Sequence, residues 1–269
     1  MKYKIIVLDL DGTLTNSKKE ISKDTLDALL KIQQLGFKVA LASGRPTPGI
    51  RKLAKELALE KYGGYILPFN GAKIIDCQKD SIVFQKTLPP EVIPQLFDTA
   101  KEGNAGIISY DGDLVISGNG IDEYIKLEAF INGLDIKEVD DFVSYIDYPV
   151  NKCLMTGEHE VLTKIQQKLK AKYNSLLSIY FSEPFFLEIM PQNVDKAQSL
   201  LKLLTMLGIS SEEMICCGDG FNDISMIQAA GLGVAMENAQ DTVKQAADYV
   251  TRSNDEEGIL HVIKKFILT

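Results

Sequence analysis

Asp9 and Asp11 straddle one leucine in the run Asp9-Leu10-Asp11-Gly12-Thr13-Leu14, directly after the apolar stretch Ile5-Ile6-Val7-Leu8. Side chains alternate along a strand, so these two carboxylates are expected to face a common space at the strand's carboxyl end. Like charges that close repel, and a bound cation or a shared proton is the usual remedy. A plainer reading of the same residues is a strand running into an Asp-Gly turn, its carboxylates capping backbone amides. Two further polar clusters follow apolar runs: Ser43-Gly44-Arg45, and Gly218-Asp219-Gly220-Phe221-Asn222-Asp223. Asp9, Asp11, Asp219 and Asp223 are hard oxygen donors, and the glycines among them bare backbone N–H groups. That donor set suits Mg²⁺ sharing oxygens with a phosphoryl group.

The elements that must bring these clusters together are legible as alternating strand-like and helix-like periodicity at both ends of the chain. Residues 3–10 read as a strand, 22–35 as a helix with Leu26, Leu29 and Leu30 on one stripe, 39–42 as a strand and 65–67 as another. The pattern resumes with a helix over 195–207 closed by Gly208, a strand over 214–217, a helix over 224–230, a strand over 233–235 and a short one near Tyr249. Such alternation predicts an α/β fold with a parallel, doubly wound sheet, whose strand ends share one edge where ligands bind. The texture changes between, with short β-like runs at 106–110, 114–117, 152–156 and 178–181 and helices at 90–102 and 161–173. We therefore expect a core from residues 1–82 and 186–269, with an inserted α/β domain over 83–185.

Composition excludes several classes. A net charge of −8 with only three arginines speaks against a nucleic-acid surface. The inserted stretch holds sixteen acidic residues against nine lysines and no arginine, which disfavours a polyanionic substrate unless those charges simply face solvent. The first apolar run is too short to span a bilayer and lacks a signal-peptide cleavage pattern, so a cytoplasmic protein with no membrane partner is expected. Cys77, Cys153, Cys216 and Cys217, with only His159 and His261, show no zinc spacing. Adjacent Cys216 and Cys217 read as small buried strand residues, with a redox pair as the alternative.

Together these segments resemble the haloacid dehalogenase superfamily phosphatases of the Cof type. The first motif is Asp9-Leu10-Asp11-Gly12-Thr13, the second Ser43 with Gly44-Arg45, the third Lys196 and the fourth Gly218 to Asp223; Asn70-Gly71-Ala72 is similar to a stretch that precedes the inserted cap domain. Ala197 departs from the glycine many relatives carry there. The resemblance implies a Rossmann-like core with an α/β cap, a Mg²⁺ cofactor and hydrolysis of a small phosphorylated metabolite. It implies that Asp9 attacks phosphorus and that Asp11 serves as acid and then base. The metal ligands would be Asp9, Asp219 and the backbone carbonyl of Asp11. The phosphate cradle would be Leu10, Ser43, Gly44, Lys196 and Asn222. Thr13 is expected to steady the loop, Asp223 to hold metal-bound water or orient Lys196, and Arg45 and Asn70 to contact the substrate beyond its phosphate. Asp9 should push the Asp11 pKa up and Mg²⁺ should push it down.

A sugar phosphate is the expected substrate. The alternatives are a cofactor phosphate such as FMN or pyridoxal phosphate, a phosphomutase reaction, and a phosphate-ligand sensor without turnover. A monomer or small homo-oligomer is expected.

Overall fold

The computed structural model describes residues 2–268. The chain forms two compact units, one of residues 1–45, 50–84 and 195–269, the other of residues 46–49 and 85–194. Five strands come first in sequence: β1 (Ile5–Leu8), β2 (Lys38–Ala42), β3 (Tyr65–Leu67), β4 (Lys73–Asp76) and β5 (Ser81–Gln85). Six follow in the second unit: β6 (Gly106–Asp111), β7 (Leu114–Ser117), β8 (Asp135–Glu138), β9 (Cys153–Thr156), β10 (Leu177–Glu183) and β11 (Phe186–Pro191). The last three are β12 (Met214–Gly218), β13 (Leu232–Ala235) and β14 (Tyr249–Val250).

The first unit is built on a sheet in the order β14-β13-β12-β1-β2-β3-β4-β5. Pairing is parallel from β14 to β3 and turns antiparallel at β4. β1 lies at the centre because its four residues are wholly buried and apolar, with Ile6 and Leu8 turned to one hydrophobic cluster and Ile5 and Val7 to another. Helices Lys23–Gln34 and Gly258–Phe266 supply the first cluster, and helix Lys196–Leu207 supplies the second. This two-faced burial makes the sheet a middle layer, as in doubly wound folds. Cys216 and Cys217 are buried and free and belong to opposite clusters, as small residues of an internal strand. The chain leaves β1 toward β2 on one side and returns through β12 on the other, so the strand order reverses beside β1.

The second unit is a six-stranded sheet in the order β10-β11-β9-β6-β7-β8, antiparallel except for β7 with β8. Helices Ile93–Glu102 and His159–Tyr173 share one cluster with it, and helix Glu123–Asn132 another. The expected boundary at 185 falls short. β11 pairs antiparallel with both β10 and β9, which carries the unit on to Val194. Its apolar run directly precedes the helix from Lys196, so burial alone did not show which sheet it joins. No helix among the described residues is long and apolar enough to cross a membrane.

Deep burial of β1 sets a stability test. Ile6→Ala is expected to lower unfolding stability by about 2–5 kcal/mol, whereas Met206→Ala, on an exposed helix face, should stay within about 0.5 kcal/mol. Chemical denaturation followed by circular dichroism measures both; equal effects would contradict the assignment of β1 as the sheet's centre.

Candidate active site

The first two polar clusters begin one residue past the end of a central strand, and the third begins on Gly218, the last residue of β12. The Asp9 N–H donates to the Cys217 carbonyl at 3.0 Å, and the Ser43 N–H to the Leu67 carbonyl at 3.1 Å, so the ladder continues into the loops and fixes their first residues. After β1 the backbone folds over itself: the Leu10 carbonyl accepts from the N–H groups of Thr13 and Thr15, and Gly12 turns with φ +79. An added Cβ on Gly12 would lie 2.3 Å from Asp219 Oδ2, so glycine is required there for conformation and for space.

Lys196 anchors the interior of this site. Asp195 caps the helix by accepting from the Gln198 N–H at 2.9 Å, which makes Lys196 the first helical residue. It heads the same buried stripe as Leu200, Leu203 and Leu204 and is wholly shielded from solvent. A lone ammonium there would be prohibitive, and two carboxylates meet it: Asp9 Oδ1 at 2.5 Å and Asp223 Oδ1. Burial favours the neutral amine, but the Asp223 and Asp9 charges and hydrogen bonds outweigh it and hold Lys196 protonated, its pKa raised.

A third carboxylate, Asp219, stands beside the two that pair with Lys196. One oxygen from each of Asp9, Asp219 and Asp223 falls within 4.8 Å of the others. Burial raises the Asp9 pKa well above the usual carboxylate value, Asp223 raises it further, and Lys196 opposes both. Asp219 is raised as well, by burial and then against the hydrogen bond from the Thr13 hydroxyl at 2.7 Å, with Asp223 adding repulsion. Both Asp223 oxygens are engaged: Oδ1 takes Lys196, and Oδ2 takes the N–H groups of Asp219 and Gly220 at 3.0 and 2.9 Å. It thus contacts Lys196, the partner expected for it, and also fastens its own loop. The set fits a hard divalent cation held by Asp9 and Asp219, since burial, with added repulsion from Asp223, opposes the ionisation of both and a cation would relieve that cost, while an added Cβ on Gly12 would crowd Asp219.

Asp11 departs from expectation. β1 stops at Leu8, so strand alternation does not carry through residue 11, and Asp11 turns to Arg45 and Lys19. Arg45 grips it with two hydrogen bonds, 2.7 Å from Nε and 2.6 Å from Nη2, and Lys19 Nζ adds one at 2.7 Å. Partial burial pushes its pKa up, but these bonds and charges prevail and hold it below the usual value. The like charges that act on Asp9 come from Asp223 and Asp219 instead.

The remaining expected residues form a second chain of contacts. Asn222 Nδ2 donates to Asn70 Oδ1 at 3.0 Å, the Asn70 N–H to the Ser43 carbonyl at 2.9 Å, and the Arg45 N–H to Ser43 Oγ at 3.2 Å. Phe69 and Asn70 both hold positive φ, 55 and 52, an uncommon conformation for non-glycine residues. The Phe69 N–H bond to the Arg45 carbonyl helps to fix this strained turn, which lays the Asn70 amide 3.4 Å from where a Gly44 Cβ would stand. Sequence reading missed Lys19, which lies in the polar run Ser17-Lys18-Lys19-Glu20, and Asn238, whose amide donates to the Gly12 carbonyl at 2.8 Å. Neither carries a local signal, since a surface lysine and a loop asparagine are ordinary.

The profile of the haloacid dehalogenase-like hydrolases matches residues 6–263. A solved haloacid dehalogenase-like hydrolase from Bacteroides thetaiotaomicron is 47% identical over 99% of this chain and 100% of its own, with a TM-score of 0.96. The 5-amino-6-(5-phospho-D-ribitylamino)uracil phosphatase YcsE of Bacillus subtilis is 31% identical over 98% of this chain and 96% of its own. The solved subclass IIB sugar phosphatase BT4131 is 25% identical with a TM-score of 0.82, covering 99% of this chain and 100% of that one. Similarity over nearly the whole length, with the four motifs converging on one sheet edge, shows that the chain belongs to the haloacid dehalogenase-like hydrolases and is a phosphatase of their Cof type.

Proposed function

We propose that this phosphatase hydrolyses small sugar phosphates with Mg²⁺ through a phosphoryl group carried on Asp9. The single observation that supports it most is the Asp9 carboxylate, buried and shared between Lys196 and the ligand-distance cluster with Asp219. Asp9 and Asp219 would hold the cation, with the Asp11 carbonyl as the resemblance implies. Once bound, the ion supplies charge neutralisation for the phosphoryl oxygens and replaces the proton that burial would otherwise place on Asp9.

The chain's own groups do the rest. Asp9 forms a bond to phosphorus as the bond to the leaving oxygen breaks, and in-line placement compensates for a weak nucleophile. Lys196 spends two of its three N–H bonds on Asp9 and Asp223 and has a third to give a phosphoryl oxygen. The Ser43 hydroxyl, the Gly44 and Leu10 backbone and the Asn222 amide complete the cradle. Asp11 protonates the leaving oxygen and then takes a proton from the water that cleaves the aspartyl phosphate. Arg45 and Lys19 hold it ionised, which suits the second half-reaction, so the first requires Asp11 to loosen that clamp.

The sugar phosphatase BT4131 supports a sugar leaving group. A second reading, a polyol phosphate bearing a heterocycle, is supported by YcsE. A phosphate-release screen over sugar, nucleotide and cofactor monoesters, with and without Mg²⁺, separates them. Product analysis with glucose 6-phosphate detects a mutase, which would return an isomeric ester.

Asp9→Asn is expected to cut turnover by at least about 10³-fold while the fold survives, because Asp223 keeps Lys196 paired. Phosphate release and a melting curve on one sample test this, and near-wild-type turnover would refute the role of Asp9. The raised Asp9 and Asp219 values also set a pH dependence. Groups whose folded pKa exceeds the unfolded value stabilise fully below the ordinary carboxylate range near 4 and lose that contribution as pH climbs through the raised values. Stripped of metal, the protein is therefore expected to lose Tm progressively as pH rises above the ordinary carboxylate range. Mg²⁺ should restore Tm most at the alkaline end, where the cation replaces both protons. Differential scanning fluorimetry checks this; a Mg²⁺ shift undiminished in Asp219→Asn would contradict the assigned ligand.

A further inference from the structure

Phe221 is 59% exposed, in the middle of the loop that carries Asp219, Asn222 and Asp223. Scattered exposed apolar side chains are ordinary on a protein surface and need no account. Phe221 differs in position. Among the described residues it is the one large exposed apolar side chain within the strand-end loops that bear the site residues. Among the described residues it also belongs to none of the hydrophobic clusters and pairs with no other ring.

The turn beneath it is fastened on every side. Asp223 Oδ2 takes the N–H groups of Asp219 and Gly220, the Asp223 N–H returns to the Gly220 carbonyl at 3.0 Å, and the Ile224 N–H bonds to the Phe221 carbonyl. Its next neighbour, Asn222, is tied to Asn70. A flat apolar ring is thus carried on a fixed backbone, on a residue that lies in sequence between the one that would hold the cation and the one that would hold the phosphate. Polar groups already account for the ester's charge, so the ring has nothing to offer the phosphate itself. It suits the flat face of a leaving group attached to that phosphate.

We propose that Phe221 is a specificity-determining residue that stacks on the leaving group and favours phosphomonoesters bearing a ring over open-chain ones. This rests on the phosphatase reading of the same site. A flat unsaturated ring gains most from such stacking, the C–H face of a cyclic sugar gains less, and a flexible open chain gains little and loses more freedom when ordered.

The test compares wild type, Phe221→Ala and Phe221→Tyr on phenyl phosphate, glucose 6-phosphate and the open-chain sorbitol 6-phosphate. Phe221→Ala is expected to raise KM by about tenfold for phenyl phosphate and about twofold to fivefold for glucose 6-phosphate. It should leave sorbitol 6-phosphate and every kcat near wild type, with Phe221→Tyr restoring the pattern. A change in KM equal across the three esters, no change, or a loss confined to kcat overturns the inference while leaving the phosphatase reading intact. Wild-type protein that releases phosphate from none of the three overturns both.

Discussion

One buried ammonium placed between two carboxylates organises this site. Lys196 sits at the head of a helix whose other inward residues are leucines, where a charge without partners would not persist. Asp9 and Asp223 are therefore required partners, and they come from the ends of β1 and β12, neighbouring parallel strands. The interaction joins three segments far apart in sequence, and its geometry follows from strand register and a helix cap more than from any local preference.

The surplus of negative charge left by this arrangement is what makes it chemically useful. A structural ion pair would balance its charges, as Lys152 and Glu188 do in the second unit. Here Asp219 is added beside a pair already satisfied, and the protein tolerates two carboxylates whose ionisation it opposes. Such an imbalance is characteristic of sites built to receive a cation, and it costs stability in the cation's absence. The same economy appears in the backbone, where Phe69 and Asn70 hold positive φ to lay an amide against Gly44.

Asp11 shows how much a neighbour's identity matters. Placed beside Asp9 alone it would be pushed toward neutrality; placed against Arg45 and Lys19 it is held as a carboxylate. Two residues separated by one leucine thus have opposite electrostatic environments, one opposing ionisation and the other favouring it.

The alternation of strands and helices, the parallel core and the presence of an inserted domain were legible because burial patterns repeat with the period of each element. That the ends of the central strands would share one edge was also legible for Asp9, Ser43 and Asp219, whereas Lys196 was expected there only from the family resemblance. Tertiary structure alone decided the rest. β11 could join either sheet by its apolar pattern, and only pairing with β9 and β10 settled it. Asp11 could face Asp9 by strand alternation, but β1 ended at Leu8 and Arg45 and Lys19 claimed its carboxylate. Periodicity fixes which face of an element is buried, whereas ion pairs and edge pairings join residues distant in sequence and depend on the space between elements.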